Sequence, residues 1–247
     1  MNRLITAILL SAVCLAQAAA STISWENKIC PVCLSDIGYR VALSGSVFDT
    51  RLDWKPLGMI MAPGELPVCD NCGFVVFESS ASASRLAEYR KITDSREYRK
   101  IRGRASYFKL GFLLEKLGER NELTLAMVAL EASWQEEADP IKLKEDLELS
   151  LSHFNAYLPV SEEGSLERLH ARLLRAELLR RLGRFDEAKK ELSGLRVFDS
   201  ERAEANRKII KYERILCSRK DPSPRSVGEM ERRGLFLKIK DFFLCLF

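Results

Sequence analysis

The chain has 247 residues, with 39 Lys and Arg against 35 Asp and Glu and a formal net charge of +4. So small an excess excludes a chain that is basic throughout, and the length leaves room for one small domain and a helical region. The positive charge is instead concentrated late: from Arg202 to Lys240 there are twelve Lys or Arg and five Asp or Glu.

The N-terminus comes first. Met1-Asn2-Arg3 precedes an apolar run from Leu4 to Ala16, and Ala16-Gln17-Ala18-Ala19-Ala20-Ser21 follows. A short basic start, an apolar stretch and an Ala-x-Ala exit predict a secretory signal peptide over residues 1–20, cleaved after Ala18 or Ala20. An uncleaved anchor fits less well, since a bilayer span needs about 20 apolar residues. Ser11-Ala12-Val13 puts valine just ahead of Cys14, where a lipoprotein signal normally places a small residue, so lipidation at Cys14 is not expected. The expected location is the periplasm or another exported compartment.

Residues 22–79 carry the chemistry. Cys30-Pro31-Val32-Cys33 and Cys69-Asp70-Asn71-Cys72 are two Cys-x-x-Cys pairs. Each pair can offer two thiolates from one tight turn, and two turns complete the four-sulfur shell of a structural zinc site. Gly73 follows Cys72 and permits the positive φ that finishes such a turn, whereas Leu34 follows Cys33 and is less suited. The spacer of 35 residues exceeds the usual ~15–20, so it must hold a hairpin or loop. Tyr39–Leu43, Ser46–Trp54 and Gly73–Phe77 look like short strands, punctuated by Gly45, Pro56, Gly58, Pro63, Gly64 and Pro67. A closed four-cysteine site activates no water; it would supply much of the folding free energy of a region with a small core.

From Ser80 to Cys217 the spacing is helical. Asp139-Pro140 reads as an N-cap and first-turn proline opening a helix toward Tyr157, with Pro159 beyond its end. Leu166, Leu169, Leu173 and Ala176 form one apolar stripe, and Leu174, Leu178 and Leu182 a second, so this helix is expected between neighbours. Leu117-Gly118 and Leu182-Gly183 mark two helix turns 65 residues apart, close to two tetratricopeptide (TPR) periods of about 34 residues. Leu182-Gly183-Arg184-Phe185-Asp186-Glu187-Ala188 matches the TPR turn best. An ordinary set of helical hairpins is the competing reading.

Residues 218–247 form a basic, amphipathic tail. Asp221-Pro222-Ser223-Pro224-Arg225 is a candidate linker, and Gly234–Phe247 is too short and charged to span a bilayer but suited to lie in a membrane interface. Export makes a lipid surface the expected anionic partner of this tail, in preference to nucleic acid.

The cysteine pairs have a second reading. Cys-Pro-x-Cys also serves thiol-disulfide oxidoreductases, here through Cys30 and Cys33, but that chemistry wants the first cysteine at a helix N-terminus. Leu34-Ser35-Asp36-Ile37-Gly38-Tyr39 does not begin a helix, and a second pair would be unexplained. Cys217 and Cys245 remain unassigned. His153 and His170 are expected as packed or surface helix residues, Glu136-Glu137 and Glu162-Glu163 as solvated faces, and Trp25, Trp54 and Trp134 as core or partial core. The sequence contains no phosphate loop, no His-Glu-x-x-His and no Gly-x-Ser-x-Gly, and no catalytic residue is assigned.

Cys30-Pro31-Val32-Cys33, the later Cys69-Asp70-Asn71-Cys72-Gly73-Phe74 and the Leu-Gly turns together resemble an uncharacterised bacterial family. Its members join an N-terminal four-cysteine domain to a TPR-like helical region. The resemblance covers about residues 28–215 and implies that domain order and metal binding, with no activity attached. Leu34, where a glycine is commoner, and the signal peptide depart from its cytoplasmic members. The expectation is an α+β protein: a zinc-ribbon-like domain at 22–79, a TPR-like array at 80–217 and the tail. Zinc is the expected cofactor, on Cys30, Cys33, Cys69 and Cys72, and a protein or peptide the expected partner of the array.

Overall fold

A computed structural model describes residues 22–78, 80–197 and 203–232. The expected signal peptide, the phenylalanine-rich end at 234–247, Cys14 and Cys245 lie outside the described residues.

The architecture is α+β. Strand β1 (Thr22–Ile29) pairs antiparallel with β2 (Asp36–Ser44), setting Trp25 opposite Arg40 and Ile29 opposite Asp36; β3 (Ser46–Thr50) pairs antiparallel with β4 (Pro56–Met59). The alternation at Tyr39–Leu43 is β2, whose Ile37 and Tyr39 turn inward while Asp36, Gly38 and Arg40 face solvent. The strand expected at Gly73–Phe77 is not formed: only Val75 bridges, to Val68. Val68 is preceded by Pro67, which has no N–H to extend the ladder, and Cys69 already turns into its knuckle. Trp25, expected in a core, is 74% exposed on the outer face of the β1–β2 ribbon.

Helices follow from residue 83 onward: α1 (Ala83–Thr93), α2 (Arg96–Lys100), α3 (Ser106–Lys116), α4 (Glu122–Gln135), α5 (Pro140–Tyr157), α6 (Leu166–Arg181), α7 (Phe185–Ser193), α8 (Ala203–Ser218) and α9 (Val227–Arg232). Asp139 caps α5 as its sequence suggests, its carboxylate accepting from the N–H groups of Ile141 (3.1 Å) and Lys142 (3.2 Å). Both Leu-Gly turns need their glycine. Gly118 has φ +84° and Gly183 φ +76°, and each lets the following N–H reach back into the helix, Glu119 to Leu114 O and Arg184 to Leu179 O. From α3 to α8 each helix packs on the next, and α6 also meets α8. Both stripes of α6 are buried along most of their length, Leu169, Leu173 and Ala176 on one and Leu174 and Leu178 on the other, while Leu166 at the start is 43% exposed and Leu182 at the end is half-buried. Among the described residues no helix is long and apolar enough to cross a membrane.

Two apolar cores result. One gathers Cys30, Val32, Ile37, Cys69, Phe74, Val75, Tyr89, Tyr98, Leu110 and Leu113, so the cysteine region shares its interior with α1, α2 and α3. The other runs through α4 to α9 and takes in Leu52 from the spacer between the cysteine pairs. Helix α4 belongs to both, giving Val128 to the first and Ala126 and Leu130 to the second.

The spacer hairpin reaches the second core through charge. Asp53 is buried between Arg51 and Arg181, at 2.6 Å from the latter, and Glu137 binds both Arg51 and Lys55 (2.8 Å). Glu136 is also buried, binding Arg104 at 2.8 Å. The pair at 136–137 is therefore no solvated face. Each carboxylate is the partner of an arginine brought from a distant part of the chain, and burial without such a partner would be costly. The expected linker at 221–225 is likewise packed. Arg180, 0% exposed and held by Glu177 (2.7 Å) and Glu213 (3.0 Å), donates to the carbonyls of Asp221 and Ser223. Beyond it Asp49 of β3 accepts from Ser226 Oγ (2.6 Å) and Gly228 N–H (2.8 Å), docking α9 on the hairpin.

Candidate metal centre

The two cysteine pairs converge. Sγ of Cys30 lies 3.6 Å from that of Cys72, Sγ of Cys33 lies 3.4 Å from that of Cys69, and all four sulfurs fall within 4.8 Å of one another. No disulfide joins them. Four soft donors at this separation can hold a metal ion.

Each pair is a tight knuckle, and the two are built alike. In the first, Leu34 N–H donates to Cys30 O (2.9 Å) and Cys30 N–H to Ser35 O (2.8 Å). In the second, Gly73 N–H donates to Cys69 O (2.7 Å) and Cys69 N–H to Phe74 O (2.9 Å). The residue after the second cysteine has positive φ in both, +79° at Gly73 and +63° at Leu34. The first knuckle thus adopts the glycine conformation without a glycine. Leu34 bears the local cost of that conformation, and its side chain, 72% exposed, adds no burial requirement to it. At Gly73 a Cβ would come within 3.3 Å of the Arg102 side chain and 3.5 Å of Tyr98.

Around the sulfurs lies a shell that sequence reasoning did not find. Asn71, inside the second pair, donates from Nδ2 to Ser35 Oγ (3.2 Å), and that hydroxyl lies 3.4 Å from Cys33 Sγ, so the two knuckles are tied side to side. Two helices then clamp them. Arg90 of α1 donates from Nε to Val32 O in the first knuckle (3.0 Å), and Tyr98 of α2 donates its hydroxyl to Gly73 O in the second (2.8 Å). Asn71 and Ser35 sit in or beside the motif and were open to notice. Arg90 and Tyr98 carry no local signal, being 58 and 25 residues from their acceptors.

The thiols are unequal in the absence of an ion. Cys33 is half-buried and its pKa is pulled down to about 6, chiefly by the Ser35 hydroxyl. Burial pushes Cys30 and Cys72 up, and Cys30 and Cys69 are 0% exposed. A cation held by the four sulfurs would favour their thiolate forms. Cys30 follows a strand and is inaccessible, so the first cysteine of the pair lacks the helix N-terminus that dithiol exchange there would want, and Cys33 is the more accessible and more acidic thiol of the two.

The other candidates stay apart from the sulfurs. His153 of α5 lies between Glu122 (2.7 Å from Nδ1) and Glu115 (3.2 Å from Nε2), which raise its pKa, Glu115 most. His170 is buried edge-on against Trp54, ring centroids 5.3 Å apart. Cys217, in the last turn of α8, is buried, with its pKa pushed up to about 11 by desolvation. The exposed Glu162 and Glu163 match their reading as a solvated surface. Compared with protein-family profiles, curated proteins and solved structures, the chain matches none.

Proposed function

We propose that the protein is an exported, zinc-stabilised interaction module. The observation that carries this reading is the convergence of Cys30, Cys33, Cys69 and Cys72 with no disulfide among them. Tetrahedral zinc with Zn–S bonds of about 2.3 Å requires sulfurs about 3.8 Å apart, which the pairs at 3.4 and 3.6 Å approach. Zinc bound by four thiolates keeps no open position, so its role here is to hold knuckles, ribbon and helices α1–α3 together. The serial packing of α3 to α8 and the glycine-dependent turns at Gly118 and Gly183 support a TPR-like array, whose surface would receive a protein or peptide. The basic end of the chain adds contact with an anionic lipid surface.

Metal analysis of anaerobically purified protein with a free-thiol count tests the central element. About one zinc per chain with four reduced, chelator-releasable thiols is expected; less than about a tenth of an equivalent, with those sulfurs crosslinked, overturns it. Liposome flotation tests the tail by comparing the full chain with one ending at Arg232, which keeps the docked α9. Equal flotation removes the lipid role.

A further inference from the structure

The outer edge of the β1–β2 ribbon is unfinished. Among the described residues the sheet holds only these two strands, so the far side of β1 has no neighbour. Every residue of β1 except Ser24 is exposed, and the outward row carries Ile23, Trp25 and Ile29, at 47%, 74% and 59% exposure. An open edge with a large apolar row is a template for another strand.

We infer that this edge pairs with the same edge of a second copy, joining two ribbons into one four-stranded antiparallel sheet. Side-chain pattern and charge select the partner. A two-fold axis normal to the sheet keeps each face on its own side, so β1 residues of like parity come opposite one another. With the axis at Asn27, Trp25 faces the second copy's Ile29 on the outer side, and Glu26 faces its Lys28 on the other. The contacts repeat by symmetry, giving two apolar pairs and two opposite-charge pairs. The neighbouring register, with the axis at Glu26, sets two carboxylates against each other and Trp25 against Asn27. An axis at Trp25 leaves both charges without an opposite. Cross-strand pairs of opposite charge favour a register and like charges oppose it, so the strand is complementary to itself in one alignment.

Sedimentation velocity of the full-length protein over roughly 1–100 μM tests this, because a five-residue edge pairing belongs in the micromolar range. Association is expected, with Glu26→Lys weakening it about tenfold by placing lysine opposite lysine twice. The double swap Glu26→Lys with Lys28→Glu should restore it. Metal content and circular dichroism confirm that each variant folds, and Trp25→Thr, which leaves both charges in place, should also weaken association. A monomer throughout the range overturns the inference. So does association indifferent to Glu26→Lys or to Trp25→Thr, or a double swap that fails to recover.

Discussion

Tyr98→Phe isolates the link between the helices and the second knuckle. The tyrosine is 0% exposed, its ring packs tilted against Phe112 with centroids 5.7 Å apart, and its hydroxyl is a donor to the buried Gly73 carbonyl at 2.8 Å. Phenylalanine keeps the ring and its packing, so the change removes one hydrogen bond and strands one buried acceptor. That combination costs about 1–3 kcal/mol, and a central figure of about 2 kcal/mol corresponds to a factor of about thirty in an equilibrium constant. Gly73 is the residue whose positive φ closes the knuckle around Cys69 and Cys72, so the loss should appear in two measurements. Urea unfolding of the metal-loaded protein should shift by about 2 kcal/mol, and competition with a chromophoric chelator should show metal held roughly ten- to thirtyfold more weakly. A change under about 0.5 kcal/mol, or a stability loss with unaltered competition, would refute the idea that α2 supports the metal turn.

Three further outcomes follow from particular contacts. Asp53→Asn removes the buried charge shared by Arg51 and Arg181 and should cost about 3 kcal/mol in urea unfolding, since both guanidiniums lose it and keep only Glu137 between them; a loss below about 1 kcal/mol would mean the network is not a unit. Gly73→Ala forces an alanine to φ +79° against Arg102 and should destabilise by about 1 kcal/mol, while Leu34→Gly in the equivalent place should be close to neutral, its relief of strain offset by unfolded-state freedom. Equal effects would contradict the account of the two knuckles. The folded-state pKa of His153 is raised above 6.5 by Glu115 and Glu122. Its contribution is therefore complete below pH 6.5 and lost as pH rises through the higher folded value; urea midpoints at about pH 6 and pH 8 should differ less in His153→Gln than in the parent, and an unchanged difference would assign the pH dependence elsewhere.

What the sequence disclosed was local. Two cysteines three residues apart must share a turn, and a glycine after a helix rich in leucine marks a left-handed exit, so both the sulfur cluster and the turns at Gly118 and Gly183 could be read without tertiary knowledge. The failures share one cause. Glu136 and Glu137 look like surface charge because Arg104 and Arg51 are 32 and 86 residues away. The stretch at 221–225 looks like a linker because Arg180, which binds its carbonyls, lies more than 40 residues earlier. Trp25 looks like a core residue from its chemistry alone, and the ribbon turns it outward.

The long spacer between the cysteine pairs links the molecule's two cores. A ribbon that served only the metal could close its spacer within some fifteen to twenty residues. Here the 35 residues leave the first knuckle, form β2, β3 and β4, deliver Leu52, Arg51 and Asp53 to the second core, and return to the second knuckle. The chain end then packs back on the same hairpin through Asp49. Opening the knuckles would therefore free both ends of a segment on which α9 and the Glu137 network depend, while α4 transmits the loss from one core to the other. An ion held by the four sulfurs would bind the folded chain in preference to the unfolded one, because only folding brings the two knuckles together. The stabilisation should consequently be felt as far as Met230, about 160 residues beyond Cys72.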